Sequence, residues 1–389
     1  MITEGGQKMM LNFSKPENAR YINRLKVVNA LRAKSGLSRA QLAKEININK
    51  VSMGEIVQDL VDEGVITEGV KQESAKGRPG TSLSLNESHA AAIGVDISTR
   101  VITITLFSLL GTPIRMERYP SSDFTCDTDY FDTINAAVEK FTSFSTSPVI
   151  GMCIAINANI SPQGKITSSF LPLLDNNSHF ISLFSGYPFP VILAPALICA
   201  AEAERFYFES TLENMLFINW GEHLSSALIL RDRIIPSMNF AHMPMLKRNV
   251  CHCGSVGCLE TVASGYGLRL ESEREFGVSM TGREMIKQGD KCRAILMKAA
   301  EALAKALVFS LCSTGANAAL IGGGLSNLPD EYFAYMLDVF SKSAAVPYKD
   351  FPIYRSYYKE KGTVQGAGLT ALEEFFYRKN LLLKLNDAV

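Results

Sequence analysis

Cys251, Cys253 and Cys258 stand in a C-x-C-G-x-x-G-C frame, with His242 a short segment upstream. Thiolate and imidazole are the ligands Zn²⁺ prefers, and four of them close a tetrahedral structural site. Gly254 and Gly257 suit a knuckle in which the backbone turns tightly around a metal. His242 is the expected fourth ligand, with His252 as the competing candidate. The simpler reading is a surface loop carrying three reduced thiols. Glycine spacing and the closeness of the thiols favour zinc.

The other five cysteines (Cys126, Cys153, Cys199, Cys292 and Cys312) lie in apolar surroundings and are expected as buried thiols, not as a disulfide framework. A chain of 389 residues is expected to hold two or three domains, and 47% hydrophobic with 20% charged residues describes a globular protein with ample core. The amino-terminal MITEGGQKMM has no apolar core for a signal peptide. The run Val191–Ala201 is too short to cross a bilayer and contains Pro195. A cytoplasmic protein without membrane insertion is expected.

Lys+Arg 39 balance Asp+Glu 39, but the charge is unevenly spread. Residues 1–50 hold ten basic side chains against Glu4, Glu17 and Glu45. That asymmetry points to DNA. The local pattern agrees. Ile22, Leu25, Val28 and Leu31 mark an amphipathic helix ending near Gly36. Ser38 and Gln41 form a capping-box pattern for a second helix, with Leu42 and Ile46 facing inward. Asn49 is the N-cap expected for a third, running to Glu63 with Gly64 as its stop and Ile56, Val57, Leu60 and Val61 toward the core. This is the helix-turn-helix order, in which the third helix enters the major groove. Asn49, Lys50, Ser52 and Met53 lead that helix, and with Arg39 they are the expected DNA contacts. Strands Val65–Glu68 and Thr81–Leu85 flank a loop ending in Lys76-Gly77-Arg78-Pro79-Gly80. That is a wing, with Arg78 placed for a minor groove. A helical docking module is the competing reading.

From Ala90 the texture becomes α/β. Ala91–Ile97 and Val101–Ser108 read as a hairpin, Tyr130–Phe144 as a helix and Val149–Ile156 as a strand. Val191–Ala194 is a strand running into a helix near Pro195. Met215–Trp220 and Ser226–Leu230 are strands, Lys291–Leu311 a long helix, Ala318–Ile321 a strand ending in Gly322-Gly323-Gly324, and Gly366–Asn380 a closing helix. Strand-rich openings followed by αβ units, twice over, predict two lobes with a cleft between them.

Together these features resemble the ROK family (repressors, open reading frames, kinases), and within it the NagC/XylR-type transcriptional regulators. The resemblance rests on the winged helix-turn-helix, the wing's Gly77-Arg78-Pro79, Gly94-Val95-Asp96, the His-to-Cys-Leu-Glu zinc segment and the late glycine triplet. The zinc segment is its most specific mark. It implies an N-terminal winged helix-turn-helix (1–86) followed by a two-lobed actin-like sugar-kinase fold. The lobes would be a small one (87–195, rejoined by 367–389) and a large one with the zinc loop (196–366). A homodimer or homotetramer is implied as well.

Family kinases transfer phosphate from ATP to a sugar hydroxyl, which needs a carboxylate base, a metal and amides cradling the phosphates. Against the family's patterns this chain has three losses. The first phosphate motif, D-x-G-x-T, reads Asp96-Ile97-Ser98-Thr99-Arg100, without its glycine. The second, G-T-G-x-G, reads Gly221-Glu222-His223-Leu224-Ser225, where Glu222 would repel phosphate. The catalytic Asn-Asp pair falls at Ala194-Pro195, and proline cannot act as a base. ATP is therefore not an expected cofactor, and no catalytic residue is assigned. The family's sugar-binding positions correspond to Ala194, Pro195, Asn239, His242 and Glu260, and its P-G pair to Asn157-Ala158. Asn157, Asn239, His242 and Glu260 are thus the expected effector contacts, for a sugar or sugar-phosphate. The chain is expected to be a transcriptional regulator, most simply a repressor of carbohydrate-related genes, that binds operator DNA. An active sugar kinase with an appended DNA-binding domain is the alternative.

Overall fold

A computed structural model describes residues 16–71, 80–121, 124–160, 166–169, 171, 180–208, 214–230, 233–237, 239–345 and 349–378. The chain divides into two compact units, one formed by Met1–Pro195 with Ala367–Val389 and the other by Ala196–Gly366. The N-terminal helices group with the first unit.

Three helices open the first unit: α1 (Pro16–Ala33), α2 (Arg39–Glu45) and α3 (Lys50–Asp62). Leu25, Val27, Val28 and Leu31 of α1 are buried, the phase expected from spacing. The start of α2 is a full capping box: Gln41 N donates to Ser38 Oγ, and Ser38 N donates to Gln41 Oε1 at 2.7 Å. At α3, Ser52 N donates to Asn49 Oδ1 at 2.9 Å, and Gly64 stops the segment with φ +71°. Met53, Ile56, Val57 and Leu60 form the buried face of α3. The strands β1 (Ile66–Lys71) and β2 (Thr81–Leu85) pair antiparallel, and Leu83 also bridges to Leu37 ahead of α2. Helices and strands thereby share one small core.

The rest of the first unit is a five-stranded sheet ordered β5-β4-β3-β6-β9. Its strands are β3 (Ala91–Ile97), β4 (Val101–Ser108), β5 (Pro113–Pro120), β6 (Val149–Ile156) and β9 (Val191–Pro195). A separate ribbon pairs β7 (Ala158–Ile160) with β8 (Ile166–Ser169). The β3-β4-β5 part is antiparallel; β6 and β9 join parallel. Ile134, Ala137, Val138 and Phe141 of α4 (Asp127–Phe144) pack on Ile93, Val95, Ile104 and Ile154 from one face. The other face meets the end of the chain. A Cβ at Gly151 would strike the Phe375 ring, and one at Gly368 the Phe107 ring.

The second unit repeats this plan. Its sheet is ordered β12-β11-β10-β13-β14, again an antiparallel trio followed by two parallel strands. The strands are β10 (Met215–Trp220), β11 (Leu224–Ile229), β12 (Ile234–Ser237), β13 (Ala318–Gly322) and β14 (Ile353–Arg355). Alternation decides the two faces. Leu216, Ile218, Trp220, Ala319 and Ile321 join the larger core with α6 (Glu260–Ala263), α7 (Gly265–Phe276), α8 (Gly282–Lys287), α9 (Asp290–Thr314) and α10 (Asp330–Ser343). Met215, Phe217, Ala318 and Leu320 face α5 (Ala196–Phe208).

Several expectations need revision. The closing helix α11 (Gly362–Leu372) starts earlier than expected and becomes a π-helical turn, Glu373–Tyr377, with Arg378 at φ +47°. The remaining residues of the expected Gly366–Asn380 helix lie outside the described ones. Cys153, Cys199 and Cys292 are buried as expected, whereas Cys126 and Cys312 are exposed at helix ends. No helix among the described residues is long and apolar enough to cross a membrane. Removing the α3 cap by Asn49→Ala should lower stability by about 1 kcal/mol in urea unfolding; an unchanged midpoint would mean the cap contributes nothing.

Candidate metal centre, phosphate turns and DNA-facing helix

The second unit brings His242, Cys251, Cys253 and Cys258 together, their ligand atoms all within 4.8 Å of one another. Cys253 Sγ lies 3.7 Å from Cys258 Sγ, and Cys251 Sγ 3.7 Å from His242 Nδ1. A tetrahedron with Zn–S bonds of about 2.3 Å has edges of about 3.8 Å. Donor set and spacing therefore fit Zn²⁺. The competing His252 lies 3.9 Å from Cys251 Sγ through its Nδ1 and falls outside the four-atom cluster.

Local backbone makes this possible. Gly254 and Gly257 adopt φ +88° and +82°, and a Cβ at Gly257 would collide with the Leu246 carbonyl. Val250 bridges to Val256, closing the knuckle, and Gly257 N donates to Asn249 O. Asn249 in turn donates to Glu271 Oε1 at 2.9 Å, and Glu271 holds Arg274 and Lys298. A hydrogen bond from the Ser255 backbone lowers the Cys253 thiol to about 7, while burial pushes Cys258 up to about 12. Three thiols cannot ionise this close together without a cation. A bound Zn²⁺ would supply that charge and hold the loop, with four protein ligands leaving no open position for chemistry.

Glu260, just past the last cysteine, is 1% exposed. Its Oε1 lies 2.8 Å from His223 Nδ1, and its Oε2 accepts from Leu224 N at 2.9 Å. The expected effector carboxylate is thus turned inward and engaged at both oxygens. His242 is half-buried and Asn239 exposed, both at the short 3-10 turn Phe240–His242. Asn157 belongs to the first unit, immediately after β6. The rings of His223, His242, His252 and Tyr266 gather beside Glu260 and the knuckle, with centroids of neighbouring pairs 5.4–6.5 Å apart.

Gly221–His223, in place of the second phosphate turn, is the hairpin loop between β10 and β11. The Gly221 and Glu222 carbonyls accept from Gly265 N (2.8 Å) and Tyr266 N (3.0 Å) at the start of α7. Glu222, expected from sequence to repel phosphate, pairs with Arg269. A family phosphate turn would present bare backbone. Here side chains and carbonyls staple the loop to α7 and Glu260. His223 was missed as a partner of Glu260, although a side chain at a glycine position was the available signal.

In the first unit, Asp96 occupies the next-to-last position of β3, where desolvation pushes its carboxyl up to about 7 against the pull of Arg118. Pro195 closes β9 opposite Ile156. At the start of α3, Lys50 and Asn49 are exposed and Ser52 is half-buried. Met53 is a correction: it is 0% exposed, three and four residues before Ile56 and Val57 on the inward face, and so unavailable to bases. Val51, at 74% exposure, stands outward beside Lys50. Arg39 pairs with Glu68 on β1, and Arg20 and Arg24 pair with Asp59 and Glu63. Arg78 lies outside the described residues.

Metal analysis of the purified protein should find about one zinc per chain. Cys258→Ser should lose the zinc and lower Tm, with a chelator doing the same to wild type; full stability without metal would refute the site. A second expectation concerns pH. Because the folded pKa of Asp96 lies above its unfolded value, its protonation favours folding. That contribution is complete below about 4 and lost as pH rises through about 7. Asp96→Asn should therefore gain Tm over wild type at pH 8 and gain less at pH 5. A pH-independent difference would contradict the assignment.

Comparison with known proteins places these features. The model of the ROK family matches residues 92–374, well over half of the chain. The DNA-binding transcriptional dual regulator NagC of Escherichia coli (strain K12) is 25% identical over 277 residues, covering 68% of this chain and 66% of that protein. The xylose repressor of Caldicellulosiruptor bescii is 22% identical over 345 residues, covering 83% and 84%. Among solved structures, a ROK family transcriptional regulator described as a homolog of the E. coli MLC protein superposes with a TM-score of 0.77 at 20% identity, covering 94% of this chain and 98% of its own. The ROK hexokinase from Thermus thermophilus gives 0.61 at 19% identity, covering 73% of this chain and 98% of its own. The N-terminal helices, the two-stranded sheet and the two mixed five-stranded sheets have the architecture expected of a helix-turn-helix joined to actin-like lobes. By the extent of the family match, this chain belongs to the ROK family.

Proposed function

We propose that this protein is a DNA-binding transcriptional regulator, a repressor in the simplest form, whose kinase-like body lacks phosphoryl transfer. The observation that carries the reading is the capped helix α3, with Asn49 and Lys50 exposed at its start, in a compact three-helix core ahead of the ROK lobes. Arg39 supports it too. Its surface ion pair with Glu68 is worth at most about 1 kcal/mol, so exchange for a phosphate costs little. Two copies would place two recognition helices on the halves of a pseudo-palindrome. A homodimer or homotetramer is the assembly this requires.

The second unit supplies the regulatory part of the proposal. The stapled Gly221–His223 loop and Pro195 at the position of the base argue against ATP chemistry. The structural zinc of His242, Cys251, Cys253 and Cys258 would hold the knuckle beside His223, His252 and Tyr266. A sugar or sugar-derived effector would meet Asn239 and His242. It acts only if it binds one arrangement of the protein better than another.

Selection of duplexes from a random-sequence pool should yield a pseudo-palindrome bound tightly by wild type. Lys50→Ala should weaken that binding and reduce the slope of log affinity against log salt by about 1. Failure to select any sequence would overturn the regulator reading, and an unchanged Lys50→Ala would overturn the proposed docking of α3.

A further inference from the structure

We infer that Arg32, Glu373 and Tyr377 form a clasp that fixes how the helix-turn-helix is held on its lobe, making them positioning residues for the spacing of DNA half-sites. The inference rests on the DNA-binding reading above. Its geometry lies entirely within the first unit.

Arg32 is in the last turn of α1, and its guanidinium pairs with Glu373 and stacks 3.8 Å from the centroid of the Tyr377 ring. One turn earlier, Asn29 Nδ2 donates to Leu25 O at 2.9 Å and to Tyr377 O at 3.0 Å. The ion pair is sheltered, with side-chain exposures of 9% for Arg32 and 21% for Glu373. It is therefore less screened than a surface pair, and it is reinforced by the cation–π contact. Tyr377 is fully buried, and its hydroxyl donates to Leu109 O at 2.8 Å.

The other attachment of the helix-turn-helix meets the same place. The linker after β2 is pinned at one end by Asn86, which donates from its backbone to Val65 O and from its side chain to Gly64 O. At the other end Glu87 accepts from Ser108 Oγ at 2.6 Å, and Glu87 O accepts from Leu109 N. Leu109 thus receives the linker through its N–H and the chain terminus through its carbonyl. The π-helical turn sets this up. Its wider turn rotates the side chains that follow relative to a continued α-helix, and Arg378 N closes it onto Glu373 O. Glu373 and Tyr377 present a carboxylate and a ring to one guanidinium. An N-terminal domain joined by a linker alone would need none of this.

Two points of attachment restrict rotation where one would not. In a two-fold regulator, each base pair inserted between half-sites turns one of them by roughly a tenth of a helical turn. A rigidly held pair of recognition helices cannot follow, but a loosened pair can. The clasp is then read in tolerance of spacing, not in affinity for one half-site.

The experiment uses the full-length protein and the duplex selected by wild type, the same duplex with one base pair inserted at its centre, and a single half-site duplex. Wild type should lose about tenfold in affinity on insertion. Arg32→Ala should lose about threefold or less while its half-site affinity stays within about twofold of wild type. Zinc content and Tm verify its folding. Should Arg32→Ala fail to fold, Tyr377→Phe, which removes only the hydroxyl bond to Leu109, carries the test and should also soften the spacing penalty. The inference is overturned if the folded variant keeps the wild-type penalty, or if half-site and full-site affinities fall in parallel, as a merely structural role requires. If wild type selects no DNA, the regulator reading itself has failed. If it binds a palindrome with no spacing preference, the clasp inference alone has failed.

Discussion

The second unit's site depends on how one buried carboxylate is held. Glu260 sits at 1% exposure, where an unpaired charge would cost several kcal/mol. His223 and the Leu224 amide meet that charge, and both belong to the β10–β11 hairpin. Glu260 lies two residues beyond Cys258. The same short segment therefore carries a metal ligand on one side and the anchor of the hairpin on the other. Once the hairpin is tied to Glu260, to Arg269 and to the first amides of α7, it has little freedom left to wrap a phosphate. The interaction that stabilises the site also fixes the hairpin in place.

On the reading proposed above, a kinase-like scaffold is retained by a regulator that does not phosphorylate. The repeated five-stranded plan, the glycine-turned knuckle and the two-faced core of the second sheet are needed for folding whatever the function. Pro195 closes β9, Glu222 and His223 occupy the β10–β11 turn, and burial raises the Asp96 carboxyl to about 7.

How much of this could be read from sequence depended on range. Features set within a few residues were legible: the Ser38–Gln41 capping box, the Asn49 cap, and the cysteine frame that the structure closes to 4.8 Å. Met53 could have been assigned inward from its spacing to Ile56, Val57 and Leu60. Its position near the helix start outweighed its phase. The basic skew of residues 1–50 overstated the positive face, because Asp59, Glu63 and Glu68 lie just past that window and pair with Arg20, Arg24 and Arg39. Contacts such as His223–Glu260 and Arg32–Glu373, 37 and 341 residues apart, left no local trace. They arise only when the sheets and the chain terminus have closed. The π-helical turn was invisible for the same reason, since tertiary packing against Gly151 and α1 decides it.

The central claim is that the hairpin replacing the phosphate turn is closed to nucleotide. Equilibrium dialysis of the zinc-loaded protein against ATP with Mg²⁺ tests it most directly, because it needs no knowledge of the sugar. No saturable binding up to about millimolar ATP is the predicted result, corresponding to a binding free energy no better than about −4 kcal/mol. Stoichiometric, saturable binding at micromolar ATP would contradict it and return the protein to the kinases.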